Sequence, residues 1–342
     1  MEITGLKPGA AGGLRILVLG GTGVISTAVV RRAAELGHQV TVLNRGRNRA
    51  GAIHEPPQGV RSLVADLRDP SSVLAAIGTE EFDVVASFLA FVPDHVRQDL
   101  ELFAGRSGQY VFISSASAYQ TPPARLPVIE STPLRNPFWQ YSRDKIACED
   151  LLVARYRETG LPITIVRPSH TYDATLVPFD GGWTVVDRMR RGLPVVVPGD
   201  GTSLWTLTHT RDVARAFVGL LGDPRTFGQA FHITADQAMP WNEIYLTLGR
   251  AAGVEPTLVH VPSERIAALE PDLGAGLLGD KAHSMVFDNS LVRSIVPGWH
   301  ATTPFVQGAR EIVAWHDADP SRREVDARMD ALFDRLVSEA RG

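Results

Sequence analysis

Tyr141 and Lys145 are the residues whose types and spacing most directly indicate chemistry. Side chains four residues apart lie on one face of a helix. A tyrosine hydroxyl titrates at about pH 10, which is too high for ready proton exchange at neutral pH. A nearby ammonium favours the phenolate and would lower that pKa toward the working range. Tyr141 would then exchange a proton with an alcohol or a carbonyl, and Lys145 would also hold a cofactor. An unrelated pair on a helix surface is the alternative.

Ser115 is expected to join this pair. It ends the apolar run QYVFISS (109–115), which is typical of a strand. Ligands in open α/β sheets bind beyond the carboxyl ends of the strands. A hydroxyl in that place can bond a substrate oxygen and orient it toward Tyr141. The predicted catalytic set is therefore Ser115, Tyr141 and Lys145.

A glycine-rich turn joins the first predicted strand, LRILVLG (14–20), to the first predicted helix. Such a turn lets a pyrophosphate approach the backbone and lie at the helix N-terminus. Ser26 stands where a third glycine is expected. We therefore predict a nicotinamide dinucleotide site, with a purely structural turn as the alternative. The expected contacts in the turn are Gly20, Gly21, Thr22, Gly23, Val24 and Ile25.

The end of the second predicted strand distinguishes between the two dinucleotides. Its sequence, Asn44-Arg45-Gly46-Arg47, contains no acidic residue. An acidic residue there usually holds the NAD ribose, whereas an arginine accommodates the 2′-phosphate of NADP. NADP is thus favoured over NAD, and a solvated basic loop is the alternative. Asp66 would bind adenine or cap the next helix. The further expected cofactor contacts are Asn44, Arg45, Arg47, Asp66, Leu67, Lys145 and Pro168.

Alternating strands and helices position these residues. Continuous apolar runs are typical of parallel strands with helices on both faces. The alternation predicts an α/β fold, a Rossmann-like doubly wound parallel sheet. After residue 170, longer loops rich in Gly, Pro and Trp predict a smaller C-terminal substrate-binding lobe. The predicted bounds are 1–13 for a flexible N-terminal segment, 14–170 for the NAD(P)-binding domain, and 171–342 for the lobe, which is interleaved with the last elements of the sheet.

Candidates for substrate contact follow the predicted strands or lie in the lobe. His170 follows the sixth predicted strand, LPITIVRP (161–168), and a structural hydrogen bond is its alternative role. The full set of candidates is Ser117, His170, Trp183, Arg188, Trp205 and His209. The ten histidines are scattered singly, without a zinc-binding pattern, so no metal is expected.

The composition limits the classes of protein to consider. The 342 residues are 44% hydrophobic and carry a net charge of −4, which is typical of a folded protein without an overall attraction to nucleic acid. The single cysteine, Cys148, fits a reducing compartment. No apolar run is long enough to span a membrane, and residues 1–13 lack the pattern of a signal peptide. We therefore expect a cytoplasmic enzyme with a small-molecule substrate and neither nucleic acid nor a membrane as partner.

Together, the glycine turn, Ser115, Tyr141 with Lys145, and Arg167-Pro168 resemble the short-chain dehydrogenase/reductase superfamily. Residues 14–315 are similar to its extended branch, the NAD-dependent epimerase/dehydratase family. The resemblance implies a seven-stranded parallel sheet, a small lobe and a homodimer. Two departures stand out. Ala116 and Ser117 replace the Asp–Glu pair of the family's dehydratases, and Trp205 replaces an arginine that grips a nucleotide diphosphate in its epimerases.

These features predict hydride transfer at a secondary alcohol or ketone of a sugar-like or sugar-nucleotide-like substrate. Oxidation, rotation and re-reduction would give an epimerase, which the resemblance favours. A single transfer would give a reductase, which Arg45 favours because an exchangeable NADP pool suits net reduction. A ketoreductase of a non-sugar metabolite is an alternative. An RNA-binding or cofactor-sensing protein of the same fold is another, although such a protein needs no Ser–Tyr–Lys set.

Overall fold

A seven-stranded parallel sheet forms the centre of the structure, a computed structural model that describes residues 13–46 and 55–341. Its strands lie side by side in the order β10-β6-β5-β4-β1-β2-β3 and confirm the predicted Rossmann-like fold. In chain order they are β1 (Arg15–Leu19), β2 (Gln39–Asn44), β3 (Arg61–Val64), β4 (Val84–Ser87), β5 (Tyr110–Ile113), β6 (Ile163–Pro168) and β10 (Gln229–Ile233).

Helices cover both faces of this sheet, which explains why its strands are apolar without interruption. In β1, Val18 packs toward one face with α1 and α6, whereas Leu17 and Leu19 pack toward the other face with α2, α3 and α4. The helices are α1 (Val24–Glu35), α2 (Pro70–Ile77), α3 (Pro93–Leu102), α4 (Gln140–Thr159) and α6 (Thr210–Leu220). None of the described helices has the length and apolar character needed to cross a bilayer.

The rest of the chain forms a lobe over the carboxyl ends of the strands. It contains the sheet β11-β9-β7 and the strand pair β12-β8. Its strands are β7 (His170–Tyr172), β8 (Val195–Pro198), β9 (Leu204–His209), β11 (Ala238–Pro240) and β12 (Leu258–Val261). Its helices are α5 (Trp183–Arg190), α7 (Trp241–Ala251), α8 (Ser263–Leu269), α9 (Pro271–Gly276), α11 (Phe305–Asp317) and α12 (Ala327–Arg341), with a π-helical turn at Leu277–Lys281. Helix α10 (Ser290–Ile295) packs instead against α6 and β10 of the central sheet.

The sheet and the lobe alternate along the chain. Only Ser169 separates β6 from the first strand of the lobe. After β9, the chain returns to the sheet, where α6 packs against α1 and β10 pairs with β6. Residue 170 is thus the point where the chain first leaves the sheet, and parts of the sheet come from beyond it.

Candidate active site

One cavity of about 930 Å³ opens at the carboxyl ends of the central strands, where the lobe faces the sheet. This volume lies within the range of about 300–1,000 Å³ that is usual for small-molecule sites. The glycine turn, the end of β2 and the predicted catalytic residues all contribute to its lining. Residues predicted from separate motifs therefore meet in one place.

The glycine turn follows β1, and its first residue, Gly20, has no room for a side chain. Gly20 has φ +86°, and a Cβ there would lie 2.4 Å from Cγ of Leu89. Ser26 Oγ accepts a hydrogen bond of 2.9 Å from the N–H of Gly23, which precedes the first residue of α1. The serine that replaces a third glycine thus braces the turn from within.

Five of the six predicted turn residues line the cavity, and Gly21 does not. A Cβ on Gly21 would lie 2.5 Å from Cγ1 of Val42, and its N–H donates to Asn44 Oδ1 at 3.0 Å. The expectation that Gly21 lines the cofactor site is therefore corrected. It shapes the turn by permitting close approach to β2.

The other polar groups at the end of the cavity formed by the glycine turn fit a nicotinamide dinucleotide. The first amides of a helix have no partner within it, and Val24 and Ile25 present those of α1 beside the cavity. Asn44 Nδ2 is buried and has no hydrogen-bond partner among the described residues. A pyrophosphate and a ribose supply the acceptors that these donors lack.

The other predicted cofactor residues also surround this end. The cavity lining includes Asn44, Arg45, Asp66, Leu67, Lys145 and Pro168, whereas Arg47 lies outside the described residues. Asp66 does not cap α2, because Asp69 does so by accepting a hydrogen bond of 3.0 Å from the N–H of Ser71. Binding of the cofactor's adenine is therefore the remaining hypothesis for Asp66.

Lys145 projects from α4 into the base of the cavity. Its side chain is buried, and Nζ donates to the carbonyl oxygens of Ala90 at 2.7 Å and Ile113 at 2.8 Å. Burial lowers the pKa of Lys145 to about 8, so the ammonium form prevails at neutral pH. With two of its three donors fixed, the ammonium has one left for another partner.

Tyr141 lies one helical turn before Lys145 and lines the same cavity. Burial raises the pKa of Tyr141 to about 12, and a hydrogen bond with Ser115 acts in the opposite direction. This result is opposite to the lowered pKa that we expected from the ammonium. The reason is geometric, since Lys145 Nζ bonds two carbonyls and is 5.7 Å from the centroid of the Tyr141 ring.

A row of serine hydroxyls holds Ser115 in place. Ser117 Oγ lies 2.8 Å from Ser115 Oγ and accepts a bond of 2.8 Å from Ser142 Oγ. Ser117 lines the cavity, as predicted for a substrate contact, yet it is only 3% exposed. Its contacts make it a support for Ser115.

The other candidates for substrate contact divide into two groups. His170 and Trp205 line the cavity. The expectation that Trp183, Arg188 and His209 do so is corrected, because each is engaged elsewhere. The Trp183 ring stacks on His316 with centroids 4.5 Å apart, the Arg188 guanidinium donates to carboxylates of α12, including Asp334 at 2.7 Å, and His209 Nδ1 caps α6 by accepting from the N–H of Arg211 at 3.1 Å.

Several lining residues were not predicted. Trp139 stands two positions before Tyr141, where its ring lies 4.8 Å from the tyrosine ring, and this proximity in sequence was a usable signal. Phe91 and Arg68 follow strand ends and could also have been found. Asp280 comes from the π-helical turn of the lobe, and no motif in the sequence marked it.

The sequence model of the NAD dependent epimerase/dehydratase family matches residues 16–234. The chain belongs to this family. It is an NAD(P)-dependent enzyme of the short-chain dehydrogenase/reductase type. One relative is a 2′-dehydrokanamycin reductase of Streptomyces kanamyceticus. It is 29% identical to this chain over 84% of the chain and 80% of its own length.

Two further similarities bear on fold and function. The chloroplast stem-loop binding protein of 41 kDa b from Arabidopsis thaliana is 27% identical over 72% of the chain and 65% of that protein. The UDP-glucose 4-epimerase of Thermotoga maritima, solved with UDP-glucose, has a TM-score of 0.72 at 20% identity and covers 89% of this chain and 98% of its own. At 20% identity, this structural similarity shows that the two proteins share a fold.

Proposed function

We propose that this enzyme reduces a ketone of a sugar-like substrate to a secondary alcohol with NADPH. The observation that carries the proposal is the meeting of Ser115, Tyr141 and Lys145 with the glycine turn in one cavity. The Tyr141 phenol, whose pKa burial raises to about 12, carries the proton that reduction of a carbonyl requires. The relative from S. kanamyceticus, which is named as a reductase, also supports net reduction.

The chain's own residues divide the remaining tasks. A bound reduced nicotinamide supplies the hydride. Tyr141 donates the proton that the carbonyl oxygen gains, and the Ser115 hydroxyl donates a hydrogen bond to the same oxygen. Lys145 holds a cofactor hydroxyl with its remaining donor.

The preference for NADPH rests on Arg45. It lines the cavity at the end of β2, where Asn44 and Gly46 flank it. Charge-assisted bonds contribute about 1.5–3 kcal/mol. We expect Arg45→Gln to raise the KM for NADPH about tenfold and to leave the KM for NADH unchanged. Arg31→Gln, an exposed change on α1, is the matched control.

The decisive experiment compares Tyr141→Phe with Tyr156→Phe, a partly exposed tyrosine on the same helix. Each purified variant is assayed for NADPH oxidation with a panel of keto-sugars and for NADPH binding by thermal shift. We expect Tyr141→Phe to abolish turnover and keep binding, while Tyr156→Phe keeps both. Substrate interconversion without net NADPH consumption would identify an epimerase instead.

RNA binding is the competing hypothesis, since one relative is named as a stem-loop binding protein. A net charge of −4 provides no overall attraction to a phosphate backbone. Titration with a stem-loop RNA at low and high salt tests this alternative. A salt-sensitive affinity that persists in Tyr141→Phe, together with a lack of NADPH binding, would replace the proposed reductase function.

A further inference from the structure

Asp280 places a carboxylate in the wall of the cavity, at the end formed by the lobe. It belongs to the π-helical turn Leu277–Lys281 and is partly exposed to the cavity. Its charge is close enough to Tyr141 to contribute to the raised pKa of that phenol. Within residues 13–46 and 55–341, no hydrogen bond or ion pair engages this carboxylate.

The backbone on both sides of Asp280 is fixed. The carbonyl oxygen of Gly279 accepts from Asn136 Nδ2 at 2.6 Å, and that of Lys281 accepts from Trp241 Nε1 at 3.2 Å. Asn136 Oδ1 also accepts from the N–H of Trp139 at 3.1 Å, just before α4 begins. One asparagine therefore ties the π-helical turn to the start of the helix that carries Tyr141, and Asp280 keeps its place relative to the phenol.

The charges around Asp280 leave an excess of negative charge. The Lys281 ammonium attracts the Asp280 charge from a distance, but its Nζ lies 3.8 Å from Asp180 Oδ2 and so pairs with a second carboxylate. His170, on the same wall, stays neutral because burial lowers its pKa to about 3. Two carboxylates thus face one ammonium. A partly buried carboxylate without a partner is unfavourable for folding, which calls for a role in binding.

Aromatic residues line the same cavity, and Trp139 lies against Gly279, the neighbour of Asp280. Trp139, Trp205 and Phe287 all line it together with Asp280. Aromatic faces attract cations, most strongly where water is excluded. Trp205 is 4% exposed, and its Nε1 has no hydrogen-bond partner among the described residues, so this end has an unused donor as well as an unpaired acceptor. The wall therefore combines negative charge, aromatic surface and polar groups that have no partner within the described part of the chain.

We propose that the substrate carries an ammonium group, as an amino sugar does, and that Asp280 pairs with it while the reacting carbonyl faces Tyr141. This inference rests on the proposed function and specifies its substrate class. An ammonium next to Asp280 would offset the negative charge that acts on Tyr141, so binding of the right substrate would also ease formation of the phenolate. A neutral sugar would leave the carboxylate desolvated and unpaired, which discriminates against it.

The test uses glucose, glucosamine and N-acetylglucosamine as probes, each measured at pH 7 with saturating NADPH by saturation-transfer NMR and thermal shift. We expect glucosamine to bind about tenfold more tightly than the two neutral sugars. Asp280→Asn should reduce this preference to within about twofold. Asp272→Asn, which removes an exposed carboxylate in α9 outside the cavity, should retain the full preference.

NADPH binding alone is the separate readout for the proposed function. If NADPH shifts the melting temperature of all variants but the wild-type protein treats the three sugars alike, the ammonium proposal is overturned. The same holds if Asp280→Asn keeps the preference for glucosamine. If NADPH itself produces no shift, the proposed reductase function fails first, whatever the three sugars do.

Discussion

The buried ion pair between Glu149 and Arg167 offers the sharpest test of how the active site is held together. The Arg167 guanidinium donates to the Glu149 carboxylate at 3.0, 3.1 and 2.5 Å, and the two side chains are only 6% and 2% exposed. The Ser114 hydroxyl donates to the same carboxylate. Glu149 thus joins α4 to the ends of β5 and β6.

We expect Glu149→Gln to destabilise the protein by about 3 kcal/mol. Removing one partner of a buried pair costs about 3–5 kcal/mol because a charge is left without compensation. Glutamine keeps one acceptor, which places the cost at the lower end. Glu158→Gln is the control on the same helix, where the exposed pair with Arg155 spans 3.6 Å. Its loss should cost at most about 1 kcal/mol.

Urea unfolding followed by circular dichroism measures both free energies, and equal m-values would show that the comparison is valid. A difference of less than about 1 kcal/mol between the two variants would refute the reasoning. Because Ser114 precedes Ser115 and Glu149 follows Lys145 by one helical turn, Glu149→Gln should also lower kcat under conditions where the protein is fully folded. Glu158→Gln should not change kcat.

Three further predictions concern single sites. Gly20→Ala should weaken NADPH binding and destabilise the protein more than Gly37→Ala by thermal unfolding, because both have positive φ but only Gly20 would bring a Cβ against Leu89. Burial raises the pKa of Asp280 to about 6, above its unfolded value of ~3.9, so the ionised carboxylate destabilises the folded state as the pH rises through these two values. Asp280→Asn should therefore raise the melting temperature at pH 7, and raise it less at pH 5. Arg188→Met should lower stability without changing the KM for NADPH, as steady-state kinetics would show, since its guanidinium contacts α12 and not the cavity.

The sequence was most informative where local pattern and tertiary structure coincide. Runs such as LRILVLG and QYVFISS predicted central strands because both faces of each strand are covered by helices. The positions of Ser115 and Tyr141 followed from the same logic, since the carboxyl ends of parallel strands meet at one edge. The sequence therefore located the cofactor end of the cavity well.

Prediction was poorest in the lobe, where side chains are positioned by contacts distant in sequence. Trp183 and Arg188 belong to types that often bind sugars, but both are buried, because His316 of α11 stacks on Trp183 and carboxylates of α12 bind Arg188. Asp280 was hidden in a glycine-rich stretch that predicts a loop. Its place near Tyr141 depends on the hydrogen bond that Asn136 donates to the carbonyl of the preceding residue, Gly279, 143 residues along the chain. Periodicity and spacing carry no information about such pairings.

The return of the chain to the sheet at β10 limits how this enzyme can be divided. Cutting after residue 170 would strip β6 of its neighbour and α1 of α6, leaving an unprotected strand edge that invites association with other chains. Grafting a different specificity onto the cofactor domain therefore means exchanging three segments, 170–209, 238–287 and 305–341, while the elements between them are retained. A new specificity is therefore introduced by replacing segments within a constant frame, and not by joining a new domain after residue 170.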